Sequence, residues 1–390
     1  MACPPETSIH APHLAPDAMK TALLVGGTAA TGVAIAAELR TRGYRVTVYH
    51  RGQHELPELS DLEHIHGDPH HGASIEHDLA RRDWDVTVAT YGRIRHLAQA
   101  LRGRTGHFVS IGGMPVVSAQ PGVPLLEHHP YETQEHAPAG LKGLLPRIVE
   151  TEQAVMAAHA RGDFVATVVR YPYIYGPHAV VTQEWPVIKR ILDGRLRWIL
   201  QGDGLLLRGR CASPNAARLV GLVLDQPSVS GGALFHAGDT RQFTQREWLT
   251  LIAGIMGFRF EFVDIPIALS PIGRSAVPMA GDHTWSRSVD VESGVLRHAL
   301  VSNELSRHAL GYADAVSPED WLRKTVAHWL EYPPHVDGQS GRLEARDFDY
   351  AAEDELLAYW DRVVAAAPRC GSPLLRAHPY DHPRAIAAPS

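Results

Sequence analysis

A glycine-rich segment near the start of the chain has the composition of a loop that binds phosphate. Its residues are Gly26, Gly27, Thr28, Ala29, Ala30, Thr31 and Gly32, and they connect the apolar run Thr21–Val25 to a stretch with helical periodicity. Small residues let the backbone approach a pyrophosphate closely, and the N-terminus of the following helix offers unpaired amides. The sequence therefore predicts a dinucleotide site on a strand–turn–helix unit that begins near Lys20.

The residues after the second predicted strand, Arg45–Tyr49, indicate which dinucleotide is preferred. Chains that bind NAD(H) usually place an acidic residue here, where it holds the ribose 2′-hydroxyl group. This sequence has His50, Arg51 and Gly52 instead. Because a guanidinium group can form two hydrogen bonds to a phosphate, Arg51, helped by His50, favours NADP(H) over NAD(H).

The composition is that of an acidic globular protein. The chain has 390 residues, a net charge of −6 and an isoelectric point near 6.5. These values argue against nucleic acid or an anionic membrane as partner and favour a small-molecule substrate, which local positive charge would hold if it is anionic. Cys3, Cys211 and Cys370 form no disulfide or metal-binding pattern, so we expect a reducing compartment, the cytoplasm. The sequence leaves a homodimer open.

Predicted strands and helices alternate in the first half of the chain. Strands at Arg45–Tyr49, Asp85–Ala89, His107–Ile111 and Val165–Arg170 are separated by helical stretches, which predicts an α/β fold with a doubly wound parallel (Rossmann) sheet. A smaller, more helical C-terminal substrate lobe follows. We expect a flexible leader at residues 1–19, an NADP-binding Rossmann domain at 20–177, the substrate lobe at 178–338 with parts that return to the Rossmann domain, and a C-terminal helix and tail at 339–390.

The motifs follow the order found in the short-chain dehydrogenase/reductases. The glycine-rich loop, His66-Gly67-Asp68, Phe108-Val109-Ser110, Arg170 to Pro177 and Gly202-Asp203-Gly204 carry this resemblance over about residues 20–334. The chain resembles extended and atypical members of the NAD-dependent epimerase/dehydratase type, with isoflavone-reductase-like features at Tyr49 to Gly52. The resemblance implies cofactor contacts by Asp68 at the adenine, by Thr90, Tyr91, Ser110 and Ile111 at strand ends, and by Tyr171, Pro172, Tyr173 and Ile174 at the nicotinamide.

The catalytic pair of this family, Tyr-x-x-x-Lys on a helix, is absent. A lysine one helical turn after the tyrosine lowers the pKa of the phenol for proton transfer. Leu144 and Ile148 stand at these two positions, and Gly112 replaces the family's serine. Candidate catalytic residues that could supply the proton instead are Tyr131, Lys142 and Tyr173, of which we prefer Tyr131 because its long loop, Pro115 to Pro138, is expected near the nicotinamide.

Candidate substrate-binding residues follow the last strand of the cofactor domain. They are Tyr175, His178 and Arg210, and the resemblance implies that Arg210, before the helix that starts at Ser213-Pro214, meets a substrate pyrophosphate. The surrounding stretch is basic and includes Arg190, Arg195, Arg197 and Arg208. It could face an anionic substrate, although a solvated helix face is the favoured interpretation.

Two other chemistries find little support in the sequence. The 24 histidines include His64, His66, His70 and His71, but neither HExxH nor a Cys/His ligand spacing is present, so the sequence predicts no metal site. A serine hydrolase is disfavoured because the chain has no Gly-x-Ser-x-Gly motif.

Three functions are compatible with these residues. The first is an NADP(H)-dependent oxidoreductase of the atypical type, acting on a small organic substrate without the Tyr-x-x-x-Lys pair. The second is a sugar epimerase, dehydratase or lyase that retains its cofactor. The third is a non-catalytic NADP(H)-binding sensor or scaffold protein, which the missing catalytic pair permits.

Overall fold

The computed structural model describes residues 19–79, 81–118, 121–137, 142–266, 269, 298–334 and 348–368. The predicted leader, apart from Met19, and the C-terminal tail after the last helix lie outside these residues. The strands in chain order are β1 (Thr21–Val25), β2 (Arg45–His50), β3 (Glu63–His66), β4 (Trp84–Ala89), β5 (Thr105–Gly113), β6 (Val165–Tyr171), β7 (Tyr173–Tyr175), β8 (Arg197–Leu200), β9 (Leu207–Arg208), β10 (Arg210–Ala212), β11 (Leu234–His236), β12 (Phe243–Thr244) and β13 (Glu261–Asp264).

Seven of these strands form one sheet in the order β11-β6-β5-β4-β1-β2-β3, and neighbouring strands are parallel. This confirms the doubly wound fold class. The chain reverses its direction of winding between β1 and β4, and ligands of open α/β sheets bind beyond the carboxyl ends of the strands at such a point. The glycine-rich loop follows β1 at this edge.

The helices in chain order are α1 (Ala30–Thr41), α2 (Gly72–Leu79), α3 (Ile94–Ala100), α4 (Leu145–Ala160), α5 (Trp185–Leu192), α6 (Ser213–Asp225), α7 (Pro227–Ser230), α8 (Gln245–Ile255), α9 (Glu304–Leu310), α10 (Pro318–Glu331) and α11 (Tyr350–Ala366). Helices α1 and α6 cover one face of the sheet, and α2, α3 and α4 cover the other. The apolar strands are therefore buried on both faces, as expected for a parallel sheet.

A second apolar core lies among α5, α8 and α10. Trp198 of β8 and Trp248 of α8 are buried there. A capping box begins α8, because the Thr244 side chain accepts a hydrogen bond from the Glu247 amide and the Glu247 side chain accepts one from the Thr244 amide. Among the described residues, none of the helices combines the length and apolar character needed to cross a bilayer.

Candidate functional site

The glycine-rich loop has the geometry that a bound pyrophosphate requires. Gly26 and Gly27 have φ angles of 91° and 109°, a region that side-chain-bearing residues rarely adopt. A Cβ atom on Gly32 would lie 2.1 Å from Gly27 Cα, so loop and helix are in backbone contact. Helix α1 starts after Ala29 without a side-chain cap and with no acidic residue in its first turn. The positive end of the helix dipole therefore lies beside the loop without a side chain in front of it, while the Ala30 amide is bound by the His178 carbonyl oxygen.

The adenosine end of the predicted site lies at the carboxyl ends of β2 and β3. Arg51 is exposed there, and its guanidinium group lies 5.9 Å from the ring centre of Tyr91, which is 44% exposed. Asp68 accepts a hydrogen bond from the His70 amide at 2.9 Å. His50 is buried, and its Nε2 lies 2.7 Å from Nδ1 of His64. Of the two residues predicted to contact the cofactor here, Arg51 is thus exposed, whereas His50 is buried against His64.

A cavity of about 460 Å³ extends from the glycine-rich loop to the second core. Its size is that of a site for a small molecule. The predicted residues that it brings together are Ala29, Ala30, Thr31, Thr90, Ile111, Tyr171, Pro172, Tyr173, Ile174 and Arg210. Lining residues that the sequence analysis did not select are Met114, Pro115, Leu125, Ala179, Val180, Val181, Gln183, Arg208, Gly209, Ala299 and Val301. The lining is therefore mostly apolar, with its cations on one side.

These cations are Arg208 and Arg210, which are 5% and 4% exposed. The Arg210 guanidinium lies 4.5 Å from the ring centre of Trp248, and its Nη1 donates to the carbonyl oxygen of Phe243 at 3.3 Å. Strand β9 holds Arg208 opposite Phe243 of β12. The interpretation of this stretch as a solvated helix face is wrong for both residues, because short strands bury them against aromatic side chains.

Tyr173 forms part of the cavity wall, and its hydroxyl group is held in a hydrogen-bonded network. The hydroxyl donates to Glu184 Oε2 at 2.8 Å and accepts from the Gln183 amide at 3.1 Å. Burial, together with the Glu184 charge, raises the pKa of Tyr173 well above its usual value. Burial also raises the pKa of Glu184 to about 7. Tyr173 therefore keeps its proton, and Glu184 is a buried carboxyl poised near neutrality behind the wall.

Tyr131 lies behind another part of the wall, over the buried Arg170 guanidinium at 5.4 Å from the ring centre. It packs in one apolar cluster with Met114, Leu125 and Val301, all of which line the cavity. Burial raises the pKa of Tyr131, and the Glu152 charge raises it further. The phenol is thus neutral and lies next to residues that line the cavity, although Tyr131 is not among the described lining residues.

The positions of the family's tyrosine and lysine are apolar in the folded chain. Leu144 precedes the first turn of α4 and is 40% exposed, and Ile148 packs in the same cluster as Tyr131. Lys142 is exposed. The described residues at these positions offer no phenol–ammonium pair.

The remaining predicted substrate-binding residues have partners inside the protein. The Tyr175 hydroxyl donates to the buried Asp239 at 2.8 Å. The His178 carbonyl oxygen accepts a hydrogen bond from the Ala30 amide at 3.2 Å, and its Nε2 lies 2.9 Å from Glu58 Oε1. His178 therefore joins the start of the second lobe to the first turn of α1, beside the glycine-rich loop.

Comparisons with known proteins identify the fold. No protein-family model matches the chain, and no curated protein matches it in sequence. Among solved structures, a dTDP-glucose 4,6-dehydratase from Bacillus anthracis in complex with NAD superposes with a TM-score of 0.60 at 15% identity, over 80% of this chain and 97% of that one. The chain has the fold of the extended short-chain dehydrogenase/reductases.

Two further structures support this conclusion. A UDP-glucose 4-epimerase from Thermotoga maritima, solved with UDP-glucose, has a TM-score of 0.60 at 16% identity, over 80% of this chain and 99% of that one. A nucleoside-diphosphate-sugar epimerase from Pseudomonas aeruginosa has a TM-score of 0.61 at 16% identity, over 81% and 99%. The shared architecture spans both the sheet and the second lobe.

Arg208 and Glu184 were not predicted as individual site residues, for different reasons. Arg208 stood in the basic stretch, and its separation by one residue from Arg210 could have signalled two cations on one side of an extended segment. Glu184 gave no signal, because a single glutamate before a helix resembles any exposed acidic residue. Only the tertiary packing buries it against Tyr173.

Proposed function

We propose that this chain is an NADP(H)-dependent oxidoreductase that acts on a small anionic substrate without a Tyr-x-x-x-Lys pair. The observation that carries this proposal is the single cavity that connects the glycine-rich loop with the buried Arg208 and Arg210. A cofactor site and a cationic substrate site are thereby adjacent, as a reaction between two bound molecules requires.

The residues around the loop fit a dinucleotide. The close approach of Gly32 to Gly27 and the uncapped start of α1 suit its pyrophosphate, and the exposed Arg51 suits a 2′-phosphate. Ile111 and the segment Tyr171 to Ile174 would hold the nicotinamide end. A bound nicotinamide dinucleotide would supply reversible hydride transfer.

The proposed substrate site combines two buried cations with an apolar lining. Arg208 and Arg210 would bind a carboxylate or phosphate group, because buried guanidinium groups form strong hydrogen bonds with such anions. Apolar side chains such as Met114 and Val301 also line this cavity and would exclude water from the reacting carbon. In this arrangement Tyr131 is the proposed proton donor.

The test is a stopped-flow absorbance assay of NADPH with a panel of anionic and neutral ketones and enones. We expect oxidation with an anionic substrate class, and we expect Arg208→Gln and Arg210→Gln to raise KM for that class while NADPH affinity is kept. Arg195→Gln, at a residue paired with Asp354 away from the cavity, is the control. NADPH binding without oxidation by any class would overturn the proposal and favour a sensor or scaffold.

A second candidate is an epimerase, dehydratase or lyase that keeps its cofactor. It is favoured by the two buried cations at the cavity, Arg208 and Arg210, and by the similarity in fold to enzymes named for nucleotide-sugar substrates. The distinguishing result is a cofactor that co-purifies and a substrate that changes without net oxidation or reduction of the nicotinamide. Chromatography of nucleotide sugars after incubation with the protein provides this measurement.

A further inference from the structure

Four potential metal ligands converge at the outer end of the sheet, away from the cavity. His50 ends β2, His64 and His66 belong to β3, and Glu55 lies in the connection between these strands. One nitrogen of each imidazole and one oxygen of the carboxylate lie within 4.8 Å of one another. We propose that His50, Glu55, His64 and His66 bind a zinc ion, and this proposal is independent of the proposed function.

The strand register explains how the sequence assembles the cluster. His50 and His66 are paired neighbours on the parallel strands β2 and β3. His64 and His66 are two residues apart and therefore project from the same face of β3. Ligands drawn from two strands and a connecting loop leave no compact motif, so the sequence predicted no metal site here. That prediction rested on ligand spacing along the chain. The pairing of β2 with β3 brings these ligands together, and it cannot be read from spacing.

The ligand atoms, all within 4.8 Å of one another, lie close enough to surround a tetrahedral ion after small shifts of the side chains. Zinc ligands at about 2.0–2.1 Å from the ion lie about 3.3 Å from one another in a tetrahedron. Glu55 Oε1 lies 3.2 Å from His66 Nε2 and 3.8 Å from His50 Nε2, and Glu55 Oε2 lies 3.9 Å from His64 Nδ1. His50 Nε2 and His64 Nδ1, at 2.7 Å, must separate by a few tenths of an ångström. Three imidazoles and one carboxylate are ligands that zinc prefers.

An outer hydrogen bond prepares His64 for this role. Its Nε2 lies 2.8 Å from the Leu59 carbonyl oxygen, which can only accept, so Nε2 carries the proton and Nδ1 presents its lone pair to the cluster. His50 Nδ1 accepts a hydrogen bond from the Gly52 amide at 3.3 Å. Coordination through Nε2 moves the His50 proton to Nδ1 and gives up this long contact. Because Glu55 lies in the connection between β2 and β3, metal binding would fix this connection, which also carries Arg51.

The cluster is both supported and accessible. The side chains of His50 and His64 are 6% and 15% exposed, whereas those of His66 and Glu55 are 59% and 54% exposed. Two rigid ligands on the sheet thus face two that solvent can reach, which provides an entry path for the ion. The two exposed ligands can also be substituted without disturbing the core.

The experiment is calorimetric titration of zinc chloride into untagged full-length protein that has been stripped with a chelator and dialysed. We expect one tight site, a raised melting temperature with zinc, and visible absorption typical of tetrahedral cobalt when Co²⁺ replaces zinc. The double substitution Glu55→Gln and His66→Gln should remove this site. Zinc affinity should fall by more than the roughly 10–100-fold that follows from loss of an outer hydrogen-bond partner. His77→Gln, at a side chain that is 83% exposed and outside the cluster, should bind like wild type.

Equal zinc affinity of the wild type and the double variant would overturn the proposal, as would the absence of tetrahedral cobalt bands in the wild type. Because both substituted positions are exposed, circular dichroism and thermal unfolding of the metal-free proteins should be unchanged. These controls separate loss of metal from loss of fold. None of the measurements requires NADPH or a substrate, so failure here leaves the proposed function untouched.

Discussion

Glu152 of α4 and Arg170 of β6 form a two-point ion pair beside Gly112. Glu152 Oε1 lies 3.0 Å from Arg170 Nε, and Glu152 Oε2 lies 2.6 Å from Arg170 Nη2. Their side chains are 3% and 2% exposed. A Cβ atom on Gly112 would lie 2.9 Å from Glu152 Oε1, so the absence of a side chain there makes room for the carboxylate. Gly112, at the position where the family that the sequence resembles has a serine, thus packs against an ion pair.

This relationship predicts that Glu152→Gln lowers the free energy of unfolding strongly. Loss of one partner leaves the Arg170 guanidinium buried without its counter-charge, which costs about 3–5 kcal/mol. The control is Glu150→Gln, whose partner Arg95 is largely exposed and whose loss should cost less than ~1 kcal/mol. Urea unfolding of both variants provides the comparison, and equal losses would show that burial does not strengthen the Glu152 pair.

The sequence predicted those parts of the fold that apolar patterns and turn residues specify locally. Strands such as β1 and β6, and the helix Tyr350–Ala366, are recognisable because their periodicity or continuous apolar character is strong. The strand β3, Glu63–His66, was missed because it is short, polar and at the sheet edge, where a neighbour on one side suffices.

The residues of the candidate site likewise divide into those that local sequence specifies and those that it does not. The glycine-rich loop is encoded by backbone requirements within seven residues, so its sequence identifies it. Glu184 and the histidine cluster become recognisable only through contacts formed on folding, because no local motif marks their residues as a site. The phenol of Tyr173 illustrates the converse: its sequence position is near the cofactor strand, yet its hydrogen bond to Glu184 occupies it.

The glycine-rich loop gives a second prediction, in which Gly32→Ala abolishes dinucleotide binding. The added Cβ would lie 2.1 Å from Gly27 Cα, so the loop must move away from the start of α1. The larger Gly32→Leu should have the same effect. Fluorescence titration with NADPH measures affinity, and Gly254→Ala, in an exposed helix position with no atom within 4 Å, is the control. Unchanged affinity in a folded Gly32→Ala protein would place the pyrophosphate elsewhere.

Arg51 provides a third prediction, which concerns the choice of cofactor. Arg51→Ala should weaken NADPH binding by about 1–3 kcal/mol and leave NADH binding nearly unchanged, because a charge-assisted contact with the 2′-phosphate is lost. Calorimetry with both cofactors measures the difference. Arg45→Ala removes an exposed cation at the opposite end of β2 and should affect neither. If Arg51→Ala weakens both cofactors equally, the residue does not read the 2′-phosphate.

Glu184 gives a fourth prediction, which concerns stability and pH. Burial raises its pKa from 4.5 to about 7, so between these values the folded state binds more protons than the unfolded state. The contribution of Glu184 to stability is therefore greatest below pH 4.5 and decreases as the pH rises to 7, by ~3 kcal/mol. Glu184→Gln removes this dependence. The difference in free energy of unfolding between wild type and variant, measured with urea, should therefore change between pH 4.5 and 7.

The matched control for this measurement is Glu76→Gln at an exposed position. The free energies of unfolding of this variant, measured at the same pH values, give the baseline for comparison with Glu184→Gln. A constant difference for Glu184→Gln would mean that Glu184 titrates near its ordinary pKa in the folded protein.

Tyr131 is the subject of the last prediction, which tests the proposed proton donor. Tyr131→Phe removes only the hydroxyl group and keeps the ring that packs with Ile148 and faces Arg170. With a substrate identified in the NADPH assay, the chemical step should slow by about 10²–10⁴-fold, as expected for loss of a general acid, while NADPH affinity is kept. Because burial raises the pKa of Tyr131, the donor stays protonated, so the wild-type rate should show no loss of activity from its ionisation between pH 6 and 9.

Tyr332→Phe, at an exposed ring, should react like wild type. Unaltered turnover in Tyr131→Phe would give this residue a packing role and shift the search for the donor to Lys142 or a bound water, since the Tyr173 hydroxyl is held by Glu184.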